Sequence, residues 1–159
     1  RNTPRGSRVA EIAIRPADAH DLDRATSVCL RSKAFWGYDD AFMAACREEL
    51  TLTPGDLNDL VLVACSGSDI LGIIQLSRSD EIVEIEKLFI DPVAMRRGLG
   101  RRLLGEAIDK AVGPGVRAIR AEADPQAVPF YTAMGFSRVG EAPSGSIRGR
   151  KLPVLLREL

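Results

Sequence analysis

The residues with most chemical potential in the 159-residue chain are Met95-Arg96-Arg97-Gly98-Leu99-Gly100-Arg101-Arg102. Two glycines one residue apart allow a backbone path and a close approach that side chains would block. The helix expected to follow presents unpaired N–H groups and a partial positive charge at its start. With four arginines in seven positions, the segment forms an anion site suited to a diphosphate. It lacks the GxxxxGK[ST] of a P-loop and the third glycine of GxGxxG, so neither nucleotide fingerprint applies.

The elements that must position this turn follow from periodicity. Asp18 is a candidate N-cap for a helix to Ser32 with Leu22, Ala25, Val28 and Cys29 on one face, and a second helix spans about 39–50. Three β-rich runs at 60–65, 70–77 and 82–90, separated by hairpin-length turns, predict an antiparallel meander. Asp91-Pro92 ends the third run, because proline has no amide for a continuing ladder. A strongly amphipathic helix is expected over about 97–112 and is stopped by Gly113-Pro114-Gly115. Then come a strand at 116–123, a short helix at 126–134, and strands at about 136–141 and 152–158 flanking a loop at 142–151. A first strand at 10–15 completes the expectation. The fold class is α/β, in the α+β sense: a mixed, mostly antiparallel central sheet flanked by helices.

Two segments at this spacing resemble the GCN5-related N-acetyltransferases, or GNAT family. That family carries a strand ending in an apolar triplet, a short loop, Gln/Arg-x-x-Gly-x-Gly/Ala and a long amphipathic helix. Here Leu88-Phe89-Ile90-Asp91-Pro92 precedes Met95-Arg96-Arg97-Gly98-Leu99-Gly100, with Met95 in the place of Gln or Arg. About thirty residues on, the segment from Asp124 through Phe130-Tyr131 to Gly135-Phe136 is similar to the family's Asn-x-x-x-x-x-Phe-Tyr-x-x-x-Gly-Phe, with Asp124 replacing Asn. The resemblance covers roughly residues 9–159 as one acetyltransferase domain, with residues 1–8 set aside as a flexible end or an added remnant. It implies acetyl-CoA as cosubstrate, the backbone of Leu88, Phe89 and Ile90 pairing with pantetheine, and Arg96, Arg97, Gly98, Leu99, Gly100 and Arg101 cradling the diphosphate. Asp124 would stand where the family's Asn touches the pantetheine arm.

Acetyl transfer to an amine needs a neutral nucleophile and a proton for the departing thiolate. A lysine-like amine of pKa about 10.4 is neutral in only about one molecule in 2,500 at pH 7, so a base or water relay helps. Glu84 and Glu86 alternate with apolar neighbours on the strand leading to the loop, and Glu122 is a third candidate. Tyr131, protonated at neutral pH and matching the family's tyrosine by position, is the candidate acid. Trp36, Tyr38 and Ser144, with Ser146, Arg148 and Arg150, lie in segments that border the acceptor in similar proteins. The reading is an N-acetyltransferase acting on a primary amine, most simply that of a small molecule. A protein acceptor stays open, as do a homodimer and a non-catalytic acyl-CoA-binding regulatory module.

Composition removes other classes. Lys and Arg number 22 against 22 Asp and Glu, so neither nucleic acid nor an anionic membrane is an expected partner. No apolar run reaches the roughly 18–20 residues of a membrane span, and residues 1–8 lack the core of a signal peptide, which points to the cytoplasm. Cys29, Cys46 and Cys65 have no metal-ligand spacing and read as reduced core thiols, and the lone His20 reads as a surface residue.

Overall fold

The structure is a computed structural model that describes residues 11–159. Seven strands form one sheet: β1 (Ala13–Pro16), β2 (Leu60–Ser66), β3 (Asp69–Ser79), β4 (Ile82–Ile90), β5 (Ala118–Glu122), β6 (Ser137–Pro143) and β7 (Lys151–Glu158). Their order is β1-β2-β3-β4-β5-β7-β6. Every neighbouring pair is antiparallel except β4 and β5, which run parallel. The expected meander is therefore β2-β3-β4, and the mixed sheet is as the element order implied.

Four α-helices cover the sheet: α1 (Leu22–Ala34), α2 (Asp40–Leu50), α3 (Leu99–Ala111) and α4 (Val128–Ala133). Period-two alternation in the strands divides the core. Val61, Val63, Cys65 and Ile73 meet α1 and α2 through Ala25, Val28, Cys29 and Cys46. Leu62, Ala64, Ile74 and Leu76 meet Leu99, Leu103, Leu104 and Ala107 of α3. One-residue alternation thus supplies two hydrophobic faces from the same strands.

Several boundaries moved for local reasons. The segment after Asp18 opens as a three-residue 3-10 turn, with the Asp18 side chain accepting from His20 N, before α1 begins at Leu22. Helix α3 starts at Leu99 rather than Arg97, because Gly98 stands outside it with φ +76°. Asp124 likewise caps a 3-10 turn over Pro125–Ala127 that leads into α4, and Gly135 at φ +92° ends the helix. Strand β1 begins at Ala13, and residues 1–10, including the start of the expected first strand, lie outside the described residues.

All three cysteines are buried and free, and burial pushes the Cys29 thiol up to about 12. His20 is exposed. Among the described residues no helix is long and apolar enough to cross a membrane, and no cluster of metal-ligating side chains occurs.

Candidate active site

The site originates in the one parallel strand pair. Strands β4 and β5 pair only from Ile82↔Ala118 to Ile85↔Ala121. Beyond Ile85, β4 stays with β3 through Gly72↔Ile90, while β5 stays with β7 through Glu122↔Val154. The two strands separate, leaving Glu86 to Ile90 without a strand partner on the β5 side. Backbone N–H and C=O groups need partners, so this edge is a ready-made docking rail for an extended amide-bearing chain. A β-bulge marks the divergence: Leu76 faces Ile85 and Gln75 faces Lys87, which leaves Glu86 as the extra residue.

A cavity of about 490 Å³ opens in the gap, lined by Leu88, Phe89 and Ile90 on one side and Ala123 and Asp124 on the other. At one end it meets the glycine-rich turn. Arg96 has φ +64° and Gly98 φ +76°, two left-handed residues flanking Arg97. Turns of this kind gather N–H groups into an anion-binding concavity at the start of α3. Holding Arg96 there costs about 1–2 kcal/mol of backbone strain, which is stored at the site. Gly100 serves a different purpose: a Cβ there would lie 3.2 Å from the Phe130 ring, so any side chain would press on that ring.

The four arginines of the turn have different positions. Arg96 and Arg101 line the cavity together with Gly98, Leu99 and Gly100. Arg97 does not line it, and Arg102 instead donates to the Ile12 carbonyl at 3.2 Å. Met95 lines the wall, supplying apolar surface where the family pattern has a polar side chain.

Tyr131 on α4 is 6% exposed and sits between Phe130 and Phe136, each ring centroid 5.2 Å away and edge-on. No side-chain oxygen or nitrogen among the described residues is both sealed from solvent and unpartnered. Its hydroxyl makes no hydrogen bond to another described residue, and the residue lines the cavity. Burial pushes this phenol well above its usual range, so it stays protonated.

The three carboxylates have different surroundings. Glu84 accepts from Arg120 Nη1 at 3.0 and 3.1 Å, across the parallel register Glu84↔Arg120, and does not line the cavity. Burial raises its carboxyl above the ordinary range despite that arginine. Glu122 shares Arg120 at 2.9 Å, yet reaches the cavity wall. Glu86 is exposed, lines the cavity and takes only a 2.6 Å hydrogen bond from Ser77 Oγ.

The far end of the cavity is built from α1, α2 and the β6–β7 loop. Trp36 is 42% exposed on the wall, edge-on to Phe35, and Ser144 lines the wall while its Oγ accepts from Ile147 N. Tyr38 lies behind this wall, stacked on Phe42 at 4.0 Å, and its hydroxyl donates to Asp124 at 2.9 Å. Asp124 also accepts from Lys33 Nζ at 2.5 Å and from Gln126 N at 2.8 Å, with Arg150 Nη2 at 3.5 Å. The carboxylate thus serves Lys33, Tyr38 and the turn that starts α4. Lys33 had no sequence signal, since nothing local connects it to a partner 91 residues away. The same holds for Arg31, which grips Asp91 at 2.6 and 3.0 Å while Asp91 caps the turn before Met95.

A family model described as "Acetyltransferase (GNAT) domain" matches residues 32–145. Among curated proteins, the N-alpha-acetyltransferase RimI of Mycobacterium tuberculosis is 37% identical over 82 residues, covering 48% of this chain and 51% of that one. An uncharacterised protein of Mycobacterium leprae is 39% identical over 61 residues, covering 38% of this chain and 17% of that one. The chain thus spans about half or less of the length of these curated relatives. Among solved structures, the PaiA N-acetyltransferase from Thermoplasma acidophilum in complex with coenzyme A superposes with a TM-score of 0.79 at 21% identity. The superposition covers 94% of this chain and 99% of that one.

Proposed function

The chain belongs to the GNAT acetyltransferase family, and from that premise we propose that it transfers an acetyl group from acetyl-CoA to the primary amine of a small molecule. The observation that carries the reading is the β4–β5 divergence over a cavity with an anion-binding turn at one end and Tyr131 on its wall. These residues fit acetyl-CoA: the free edge at Leu88–Ile90 suits the amides of pantetheine, and the turn with Arg96 and Arg101 suits the diphosphate. The cosubstrate supplies an activated thioester.

The protein's own residues do the rest. Glu86, on the wall and with no cation within salt-bridge reach among the described residues, takes the proton of the incoming amine directly or through water. Tyr131 gives its proton to the departing sulfur. Burial disfavours a bare thiolate beside the phenol, which favours proton capture by sulfur, but it disfavours the phenolate as well, so Tyr131 must regain a proton from the cavity as it gives one up. Trp36 and Ser144 border the acceptor, and Arg97 acts at longer range through its charge.

Coenzyme A binding should depend on the backbone of the turn. Replacing Gly98 by valine puts a β-branched side chain at φ +76°, a penalty of about 1–2 kcal/mol or more. Calorimetry should show coenzyme A binding weakened by roughly 5- to 30-fold. Unchanged affinity would mean that the turn does not shape the phosphate site.

The activity itself is tested by thiol release from acetyl-CoA over a broad amine panel. Release with small amines supports the reading. Release only with peptide amino termini would favour a protein acceptor, the chemistry in the name of the RimI relative. Tight acetyl-CoA binding with no release on any acceptor would favour a non-catalytic acyl-CoA-binding module, and no binding at all would overturn both.

A further inference from the structure

At the acceptor end the cavity wall carries two cations for one anion. Lys33, Arg150 and Asp124 have side chains only 12%, 18% and 13% exposed, and all three line the cavity. Asp124 is engaged by Lys33 at 2.5 Å and by the Tyr38 hydroxyl, and it lies 3.5 Å from Arg150. Arg150 makes one protein hydrogen bond among the described side chains, from Nη2 to Tyr38 Oη at 3.1 Å. Its guanidinium carbon sits 5.3 and 4.9 Å from the centroids of the stacked Tyr38 and Phe42 rings, which fix its plane. A planar fork with unspent N–H groups is thus held rigidly at the wall, in a cluster of net charge +1 largely removed from water.

A mostly buried charge excess is costly until a counter-charge arrives. The other carboxylates on the wall do not fill this role. Glu122 is drawn to Arg120, Glu86 takes Ser77, and Glu49 is exposed on α2, beside Gly145, with no ion-pair partner among the described residues. These carboxylates suit the ammonium end of an acceptor. The cavity therefore presents carboxylates for an amine and a partly satisfied cation pair for an anion.

We infer that the acceptor is a free amino acid, its carboxylate held by Arg150 and Lys33 and its amine directed toward Glu86. The inference rests on the acetyl-transfer reading above and narrows its acceptor class. Arginine suits this task because its fork matches a carboxylate with two parallel hydrogen bonds. A site built to pair with a charged group also rejects analogues lacking it, since its own buried groups are then left unpaired.

The test compares each standard amino acid with its carboxamide and its decarboxylated amine in the thiol-release assay. The amine of a carboxamide is the less basic, so more of it is neutral at pH 7. A preference for the acid therefore cannot come from amine availability. At least one amino acid should exceed its carboxamide by about 10- to 100-fold in kcat/KM. In Arg150→Gln that ratio should fall by roughly ten-fold or more, and Arg150→Lys should restore part of it. Release with amines that is equal for acid and carboxamide, or greater for carboxamides, diamines or peptide amino termini, overturns the inference and leaves acetyl transfer standing. No release with any amine overturns acetyl transfer instead. Calorimetry of the same amino acids on coenzyme A-saturated protein then decides the carboxylate site by itself, because carboxylate-independent binding or no binding rejects it. If Arg150→Gln does not fold, as melting would show, the wild-type acid-to-carboxamide ratio decides alone.

Discussion

Replacing Tyr131 with phenylalanine should lower kcat by about 10²- to 10⁴-fold, the range spanned by a single positioned proton donor, while coenzyme A affinity stays within about two-fold. The substitution removes one oxygen that bonds to no protein group among the described residues and leaves the ring between Phe130 and Phe136. Packing and stability should thus change little, which separates a chemical effect from a folding effect. Steady-state kinetics with calorimetry on the same preparation checks both halves. Equal turnover in the variant would remove Tyr131 from the mechanism. Since burial raises the phenol, no loss of rate from its ionisation should occur below about pH 10.

The largest stability effect is expected at Asp124. Asparagine there, the residue of the family pattern, should cost about 3 kcal/mol, because it leaves Lys33 and Arg150 largely buried without their counter-charge. That corresponds to a fall in Tm of roughly 6–12 °C for a chain of this size. The amide can cap the turn at Gln126 through its oxygen but would direct N–H groups at donors. Pairing the change with Lys33→Met should recover part of the loss, since one unpaired cation disappears with the anion. Thermal melts of the two single variants and the double variant give the coupling, and additive losses would show that the pair is not a unit.

The pH dependence has a definite sign. Burial alone would raise the Asp124 carboxyl, yet hydrogen bonds from Lys33 and Gln126 N, with the Lys33 charge, hold it below its usual range. A carboxyl lowered in the folded state contributes stability that is fully present above its unfolded pKa near 3.9 and is lost as pH falls through the folded value. The melting difference between wild type and Asp124→Asn should therefore persist at neutral pH and narrow below about pH 4.

The portions legible in the sequence are those written in local patterns. Helix α3 is amphipathic at every turn, and its start is marked by Gly98. The meander shows in β-rich runs divided by short polar turns, and the cofactor turn shows in two motifs whose spacing is fixed by the strand and helix between them. What escaped depends on pairing at a distance. Glu84 and Glu86 read alike on one strand, but register places Arg120 opposite the first and a bulge beneath the second. The motif at Asp124 gives no hint of Lys33, which its carboxylate also holds, and Tyr38 lies behind the wall because its hydroxyl is drawn to that same carboxylate.

Arg31 and Lys33, two residues apart on α1, reach the ends of the two diverging strands: Arg31 holds Asp91 just past β4, and Lys33 holds Asp124 just past β5. A single helix is thereby fastened to both jaws of the wedge. Their spacing is set before any ligand arrives, so binding need not spend free energy prying the sheet apart. Loosening the Arg31–Asp91 clasp, neither residue of which lines the cavity, would change the reach between donor and acceptor without altering any group placed in the site.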